Sequence, residues 1–350
     1  MSVNGPLQQS DTAKLGVVVI GRNEGSRLVQ CLNSVRSIPR CVYVDSGSTD
    51  GSVQRAIDAG VLVVDLEIPP NFTAARARNA GLAKLLAQFP DVEYVQTVDA
   101  DCELHDNWIA AALAALRVDP GLAAVFGRLR ERYPTRSIYN ALCDDSWNAP
   151  LGDAPIIGGV ALFRVEALRE ANFYSAEMIA GEEPDLSIRM RNAGWRLHRI
   201  DADMGFHDVD IMHFGQWWTR TRRTGHAYGE LAFRHPKARS PAWARTVYSI
   251  VFWGFAMPLG LVIALVLAVQ ESRGFWLFVA LGVALWLSRV VQLARRKLKS
   301  GLPMKVAVAY GALIMIGKLP QFLGLCLYHR NRMAGYASSI IEHKNPTAAD

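Results

Sequence analysis

Three short clusters of acidic residues in this chain could do chemistry, and the most compact is Asp99-Ala100-Asp101. It directly follows the apolar run Tyr94–Val98. Two carboxylates one residue apart can present oxygens to a hard divalent cation, and such a cation can bridge a diphosphate. An isolated Asp-x-Asp is more often an ordinary polar loop, so its interpretation depends on its position and its neighbours.

A second cluster is the loop that runs from Asp45 to Asp50 and contains Ser46, Ser48 and Thr49. Its carboxylates and hydroxyls suit a contact with a ribose or a base. The same residue types are also typical of a helix N-cap. We expect Asp45 to contact a ligand and Asp50 to cap the helix that follows.

The third cluster places Glu182, Glu183 and Asp185 within four positions. A carboxylate that is shielded from water beside other carboxylates has its pKa raised towards the range of a general base. Acids are also frequent in the first turn of a helix, where Pro184 is well tolerated. The spacing alone leaves both interpretations open.

Strand-like runs must position these clusters. Four short apolar runs alternate with helical stretches: Leu15–Ile20, Val42–Val44, Val61–Val64 and Tyr94–Val98. Strands that alternate with helices predict a parallel sheet, whose ligands lie beyond the carboxyl ends of the strands. The polar residues that follow these runs are therefore expected at one edge of the sheet. A further strand is predicted over Trp195–Ile200.

The composition excludes a disordered chain and a purely soluble protein. The 350 residues are 51% hydrophobic and 20% charged, with a net charge of +6. Residues 246–270 carry no charge, and this stretch is longer than the roughly 20 residues that cross a bilayer. Residues 1–14 are polar, and the first apolar run is too short for the core of a signal peptide. The five cysteines form no CxxC pair, so no disulfide framework or structural zinc site is expected.

Several common nucleotide-site motifs are absent from the sequence. It contains no GxxxxGK[ST], no HExxH and no GxGxxG after the first strand. ATPase, zinc protease and dinucleotide oxidoreductase functions therefore lose their main support. No nucleic-acid partner is expected, because the basic residues concentrate beside the apolar segments.

Six motifs, in this order, resemble family 2 glycosyltransferases of the GT-A fold over about residues 15–230. They are VVVIGRNE from Val17, VDSGSTDG from Val44, ARNAG from Ala77, VDAD from Val98, Gly158-Gly159, and GEEPDL from Gly181. The resemblance implies an α/β, Rossmann-like domain with a mostly parallel sheet, followed here by an α-helical membrane domain. It also implies inverting transfer from a nucleotide-diphosphate sugar, usually a UDP-sugar, with Mg²⁺ or Mn²⁺.

The resemblance also implies roles for individual residues. Asp45 would contact the base or ribose, and Asp101 with Asp99 would hold the metal and the diphosphate. Glu183 stands where the family commonly has Asp and would deprotonate the acceptor, with Asp185 as the alternative base. Further donor contacts are expected from Gly21, Arg22, Asn23, Glu24, Ser46, Arg78, Ala100, Arg220 and Arg223. Expected acceptor contacts are Gly158, Gly159 and Glu182, and His207 is expected as another metal ligand.

The chain after residue 215 changes character. Residues 216–245 are rich in Trp and Arg and predict an interfacial segment that faces anionic lipid. Val247–Val269 and Gly274–Ala294 are predicted spans, and the basic cluster after them belongs inside the cell. The segment Val306–Leu327 is interrupted by Lys318-Leu319-Pro320-Gln321. It either spans the membrane or dips in and returns.

We therefore expect a polar segment (1–14), a catalytic domain (15–215), the interfacial segment (216–245), a membrane domain of two or three helices (246–344) and a tail (345–350). The expected location is the inner membrane, with several spans and the catalytic domain in the cytoplasm. The expected function is sugar transfer to a lipid-linked acceptor, such as a polyprenyl-diphosphate sugar, in exopolysaccharide or cell-envelope glycan synthesis. A processive polysaccharide synthase and a non-catalytic membrane scaffold that kept the fold are the alternatives. The sequence predicts no oligomeric state.

Overall fold

A computed structural model describes residues 12–67, 72–236, 241–270 and 274–336. These residues form two compact units, one of residues 12–134 with 143–210 and the other of residues 135–142 with 211–336. Most of the predicted polar segment, the last residues of the predicted membrane domain and the predicted tail lie outside the described residues.

The first unit is built on a mixed sheet in the order β3-β2-β1-β4-β8-β6-β9-β5, with β7 beside β9. The strands are β1 Leu15–Gly21, β2 Cys41–Asp45, β3 Leu62–Asp65, β4 Tyr94–Asp99, β5 Cys102–Leu104, β6 Leu122–Glu131, β7 Gly152–Asp153, β8 Ala161–Arg164 and β9 Arg196–His207. Strands β3, β2, β1 and β4 pair in parallel, whereas β8 runs antiparallel to β4 and β6. The predicted α/β class is confirmed, and β9 extends seven residues beyond its predicted end.

Helices separate these strands along the chain. They are α1 Ser26–Ser34, α2 Ser52–Asp58, α3 Ala74–Gln88, α4 Trp108–Val118, α5 Ile138–Ser146, α6 Val165–Glu170 and α7 Glu182–Asn192. Helix α3 begins after Thr73, whose hydroxyl accepts a hydrogen bond from the Arg76 backbone N–H at 3.0 Å, as an N-cap does. A Cβ on Gly81 would lie 2.4 Å from Val18 Cγ1, so glycine lets α3 approach the sheet closely. This approach buries Arg78 on the same helix.

The carboxyl ends of three parallel strands meet at one edge. Val17, Val18 and Val42 are completely buried, as expected for parallel strands covered on both faces. The register pairs Gly21 with Asp45 across β1 and β2, and Ile20 with Asp99 across β1 and β4. The polar residues that follow these strands therefore start from the same edge, as the sequence predicts.

The second unit is helical. Its helices are α8 Phe214–Arg234, α9 Pro241–Val251, the π-helical turn Phe252–Ala256, α10 Met257–Gln270, α11 Phe275–Lys299, α12 Met304–Ile316 and α13 Lys318–Met333. By length and composition alone, three helical segments of the described chain are suited to cross a membrane. They are Ala244–Gln270, Phe275–Lys299 and Met304–Met333.

Helices α8 and α13 pack with their backbones in contact. A Cβ on Gly225 would lie 2.0 Å from the Gln321 carbonyl oxygen, and one on Gly324 would lie 1.9 Å from the Arg222 carbonyl oxygen. His226 is completely buried between them, with its ring edge-on to Tyr328. The interruption predicted from Lys318 therefore corresponds to the start of α13, whose first turn accommodates Pro320.

Candidate active site

The loops that follow β1 and β2 are tied together by hydrogen bonds. Asn23, which has a φ of 55°, donates its backbone N–H to Ser48 Oγ at 2.9 Å. Its side-chain oxygen accepts a hydrogen bond from the Thr49 backbone N–H at 2.7 Å. Asp50 accepts from the Gly25 backbone N–H at 2.8 Å and from the Ser52 backbone N–H at 3.0 Å. Asp50 thus binds the first N–H of α2, as predicted, although Gly51 occupies the N-cap position.

Asp45 is buried and fixed by its own strand and loop. Its Oδ1 accepts a hydrogen bond from the Tyr43 hydroxyl at 2.8 Å, and its Oδ2 accepts one from the Ser48 backbone N–H at 2.6 Å. Burial, followed by the charge of Asp45, raises the pKa of Tyr43, so that this hydroxyl remains a donor. The orientation of the Asp45 carboxylate is therefore set before any ligand arrives. Its predicted contact with a base or ribose remains a prediction.

The other predicted donor residues of this edge have different surroundings. Ser46 donates its backbone N–H to the Gly21 carbonyl at 3.0 Å. The Arg22 guanidinium lies 5.6 Å from the centre of the Phe72 ring. Glu24 forms an ion pair with Arg27 at 2.7 Å.

Gly21 and Ala100 lie against each other at the ends of β1 and β4. A Cβ on Gly21 would lie 2.6 Å from the Ala100 Cβ. The Ala100 backbone N–H donates to the Ile20 carbonyl at 2.9 Å, which continues the pairing of the two strands. Glycine at position 21 therefore lets the Asp-x-Asp turn approach the first loop.

Asp101 and His207 form a side-chain pair that fits a divalent cation. His207 Nε2 lies 3.1 Å from Asp101 Oδ2, and the pairing of β5 with β9 places Cys102 opposite His207. One ligand atom from each of these three residues falls within a 4.8 Å group. Trp147 stacks on the imidazole, with ring centroids 4.7 Å apart, and so restricts its orientation. Carboxylate oxygens suit Mg²⁺ and Mn²⁺, and imidazole is a common metal ligand.

Arg78 connects the Asp-x-Asp motif with the acid cluster of α7. Its Nη2 lies 2.9 Å from Asp99 Oδ1, and its Nη1 lies 2.9 Å from Glu182 Oε1 and 3.0 Å from Glu183 Oε1. The guanidinium carbon lies 5.5 Å from the centre of the Tyr174 ring. Two of the three acidic clusters identified in the sequence therefore meet at one arginine.

Glu183 has the properties of a general base. Burial, and then the charge of Glu182, raises the pKa of Glu183 to about 7, against the opposing effect of Arg78. Burial alone would lower the pKa of Arg78, but the charge of Asp99 and of the neighbouring acids outweighs it and raises that pKa. Glu183 also belongs to the first turn of α7, as the helix interpretation predicts, and its role as a base remains a prediction.

Asp185, the alternative base, has a different environment. It is buried, and its Oδ2 accepts hydrogen bonds from Ser175 Oγ at 2.8 Å and from Arg189 Nε at 2.9 Å. Arg189 follows one turn later on the same helix, so this pair stabilises α7. The contacts favour Glu183 over Asp185 as the group that is poised to accept a proton.

The two predicted acceptor glycines have different surroundings. A Cβ on Gly159 would lie 2.3 Å from Arg78 Nη2, 2.9 Å from Asp99 Oδ2 and 3.1 Å from Glu183 Oε1. A Cβ on Gly158 would meet no described atom within 4 Å. Gly159 thus borders the acidic cluster, whereas Gly158 borders open space.

Two predicted donor residues belong to the second unit, and several residues that contact the site were not predicted from the sequence. Arg220 and Arg223 belong to α8 of the second unit. Tyr43, Trp147 and Tyr174 contact predicted site residues, but no spacing or motif in the sequence signals them. Only Cys102 had a signal, because it adjoins the Asp-x-Asp motif.

Comparisons with known proteins agree with this fold. Residues 16–170 match the family model of glycosyl transferase family 2. The pre-mycofactocin glycosyltransferase of Mycobacterium tuberculosis, found in two strains, is 28% identical over 276 residues, which are 73% of this chain and 56% of the relative. The chain therefore spans little more than half the length of these curated relatives.

A solved structure shows the same fold. The mannosyltransferase PcManGT from Pyrobaculum calidifontis, in complex with GDP-Man and Mn²⁺, aligns with a TM-score of 0.57 and 22% identity over 87% of each chain. The first unit thus has a GT-A fold, and residues 16–170 match the family 2 glycosyltransferase model. The resemblance inferred from the motifs is confirmed over this range. Glu183 and His207 lie beyond it, so their roles depend on the geometry described above.

Proposed function

We propose that this protein is an inverting, metal-dependent hexosyltransferase that moves a sugar from a nucleotide-diphosphate sugar to a lipid-linked acceptor. The observation that carries the proposal is the combination of a cation-binding pair, Asp101 with His207, and a carboxylate, Glu183, whose pKa is raised to about 7. A transferase of this kind needs both groups, because charge develops on the leaving diphosphate and the acceptor hydroxyl releases a proton.

In the proposed mechanism the donor lies along the edge formed by β1, β2 and β4. Asp45 and the loop beginning at Gly21 bind the nucleoside. Asp101, His207 and, as predicted from the sequence, Asp99 would hold Mg²⁺ or Mn²⁺, and such a cation would offset charge on the leaving diphosphate. Glu183 accepts the proton of the acceptor hydroxyl, which then attacks the sugar from the side opposite the diphosphate. Inversion follows from one displacement, with no covalent enzyme intermediate.

The membrane helices support an acceptor that is carried by lipid. A nucleotide sugar is soluble, so three apolar helices serve the donor poorly and a polyprenyl-linked acceptor well. We place the catalytic domain (15–215) in the cytoplasm, the interfacial segment (216–245) at the bilayer surface, and residues 246–344 in the inner membrane. The corresponding pathway is exopolysaccharide or cell-envelope glycan assembly.

Two nucleobases, uracil and guanine, are candidates for the sugar donor. The family resemblance favours a UDP-sugar, whereas the Pyrobaculum structure contains GDP-Man. The Mycobacterium relative is named for pre-mycofactocin rather than for a lipid. A donor screen must therefore include UDP- and GDP-sugars, and an acceptor screen must include soluble compounds.

The test uses the purified full chain in nanodiscs with a panel of nucleotide sugars, Mn²⁺ or Mg²⁺, and EDTA as the metal-free control. We expect metal-dependent release of the nucleotide from one donor and transfer of one sugar to a polyprenyl-diphosphate sugar. Equal transfer to water-soluble oligosaccharides would contradict the lipid-linked acceptor. Long products would identify a processive synthase, and the absence of turnover with every donor would favour a scaffold.

A further inference from the structure

We infer that Arg78 is a positioning residue for the Glu182–Glu183 pair, rather than the contact to the donor diphosphate that its place near the start of a helix predicts from the sequence. The inference rests on the proposed function, because it assigns how the proposed base is held. Arg78 is 2% exposed, and both of its terminal nitrogens are bound to carboxylates. Its guanidinium therefore joins three elements of the first unit: α3, the end of β4 and the start of α7.

The charge around Arg78 opposes a role in binding phosphate. One guanidinium lies among three carboxylates, those of Asp99, Glu182 and Glu183, so the cluster is acidic when all of them are ionised. An added diphosphate would be repelled by this excess of negative charge. Arg78 instead reduces the repulsion among the carboxylates and keeps them together.

The space around Arg78 is also restricted. The Tyr174 ring lies 5.5 Å from the guanidinium carbon, and the backbone of Gly159 lies so close that a Cβ would approach Arg78 Nη2 to 2.3 Å. Arg78 Nη2 therefore has no space to move towards Gly159. A glycine at position 159 is required for the arginine to bind Asp99 and the acid pair together.

This arrangement explains how a glutamate can act where the family commonly has an aspartate. The additional methylene gives Glu183 one more rotatable bond, and a freely rotating carboxylate would spend little time in a reactive position. The contact between Arg78 Nη1 and Glu183 Oε1, at 3.0 Å, limits this freedom. A planar guanidinium fixes two directions at once, which a lysine ammonium does not.

The test compares Arg78→Met and Arg78→Lys with the control Arg76→Met, two residues away on the same helix, whose Nη2 donates to the Glu67 carbonyl. With the donor identified in the panel, we expect kcat to fall about 100-fold in Arg78→Met, the scale of a displaced catalytic group. The donor KM should stay within about threefold of the wild-type value, because the donor site itself is intact. Arg78→Lys should recover part of kcat, and Arg76→Met should resemble the wild type.

A second pair of variants disturbs the cluster without removing the arginine. Gly159→Ala should lower kcat and leave the donor KM nearly unchanged, because its methyl group displaces Arg78 Nη2. Gly158→Ala, whose methyl group meets open space, should lower kcat less. These variants keep the inference testable even if Arg78→Met fails to fold. Equal kcat values for the two alanine variants would overturn it.

Binding measurements separate this inference from the proposed function. The affinity for UDP with Mn²⁺, and for GDP with Mn²⁺, is measured by calorimetry on each variant. We expect the nucleotide that binds the wild type to bind Arg78→Met and Arg78→Lys equally well, whether or not transfer is detected. A tenfold or greater loss of this affinity, or a rise in donor KM that exceeds the fall in kcat, would overturn the inference and restore the diphosphate role. Absence of turnover in the wild type would instead refute the proposed function alone.

Discussion

The two units of this protein differ in the exposure of their apolar side chains. In the first unit Val17, Val18 and Leu162 are completely buried in the sheet and its helices. In the second unit Leu281 is 57% exposed and Val262 is also 57% exposed, with many similar residues on the same helices. The first unit also contains a charged cluster, in which the buried Arg78 pairs with Asp99, Glu182 and Glu183.

This contrast shows that the same residue types pack for two different solvents. Water drives valines and leucines into the sheet, and the buried charges there are retained because each has a partner. Apolar side chains that remain exposed along three long helices match a hydrocarbon solvent. An exposed leucine therefore faces water in the first unit and would face hydrocarbon in the second. Each of the following predictions tests one side of this difference.

The largest expected effect comes from the charges inside the first unit. Asp101→Asn removes one negative charge from the proposed cation site with His207 and should lower kcat/KM by about 10³-fold or more, since a bound metal contributes several kcal/mol. EDTA should have the same effect on the wild type. Binding of Mn²⁺, followed by electron paramagnetic resonance, should weaken in parallel. Asp106→Asn, an exposed neighbour, is the control, and normal Mn²⁺ affinity in Asp101→Asn would refute the assignment.

The next effect is the loss of the proposed base. Glu183→Gln keeps the size of the side chain and removes its ability to accept a proton, so we expect kcat to fall by roughly 10²- to 10⁴-fold. The free energy of unfolding should change little, because the glutamine oxygen can still accept from Arg78. Rates are measured by single turnover and stability by thermal unfolding. Normal turnover in this variant would show that another acid is the general base.

A smaller effect compares the two solvents directly. Leu281→Arg places a charge within a proposed span and should cost up to about 2.5–3.5 kcal/mol of membrane insertion, the cost at a span's centre. Ile57→Arg is the matched control, because Ile57 is 52% exposed in the first unit, and its substitution should change stability by less than about 0.5 kcal/mol. Insertion is measured by in vitro translation with membranes, and stability by unfolding. Equal insertion of Leu281→Arg and the wild type would argue against this span.

The smallest effect is the dependence of transfer on pH. The pKa of Glu183 is raised to about 7 by burial and by Glu182, so below that pH the carboxyl group is protonated and cannot act as a base. We expect kcat to rise about tenfold per unit up to pH 7 and to level off above it. The profile is measured with a saturating donor. A flat rate between pH 5.5 and pH 7 would exclude Glu183 from proton transfer.

Local patterns were sufficient to predict the first part of the sheet. Strands β1, β2 and β4 are continuous apolar runs that end in polar residues, and the structure begins each within one residue of the prediction. Strand β6 was missed although Ala123 and Val125 are completely buried in it, because its apolar half is also compatible with a helix. The additional length of β9 is set by its pairing with β6 and β5, which no local window contains.

The site could be predicted only where its residues share a motif. The Asp-x-Asp pair and the acid cluster are visible in the sequence, and a parallel sheet predicts where their strands end. The contact of Arg78 with Glu182 joins residues 104 positions apart, and the contact with Tyr174 depends on tertiary packing. Sequence spacing carries no information about such contacts, so the partners of each predicted residue required the structure.

The packing of α8 against α13 has a mechanical consequence. Because backbone meets backbone at Gly225 and again at Gly324, neither helix can slide or roll past the other without a collision. We therefore expect the two helices to move as one rigid body. A tilt of α13 should then be accompanied by a tilt of α8, the helix that carries Arg220 and Arg223.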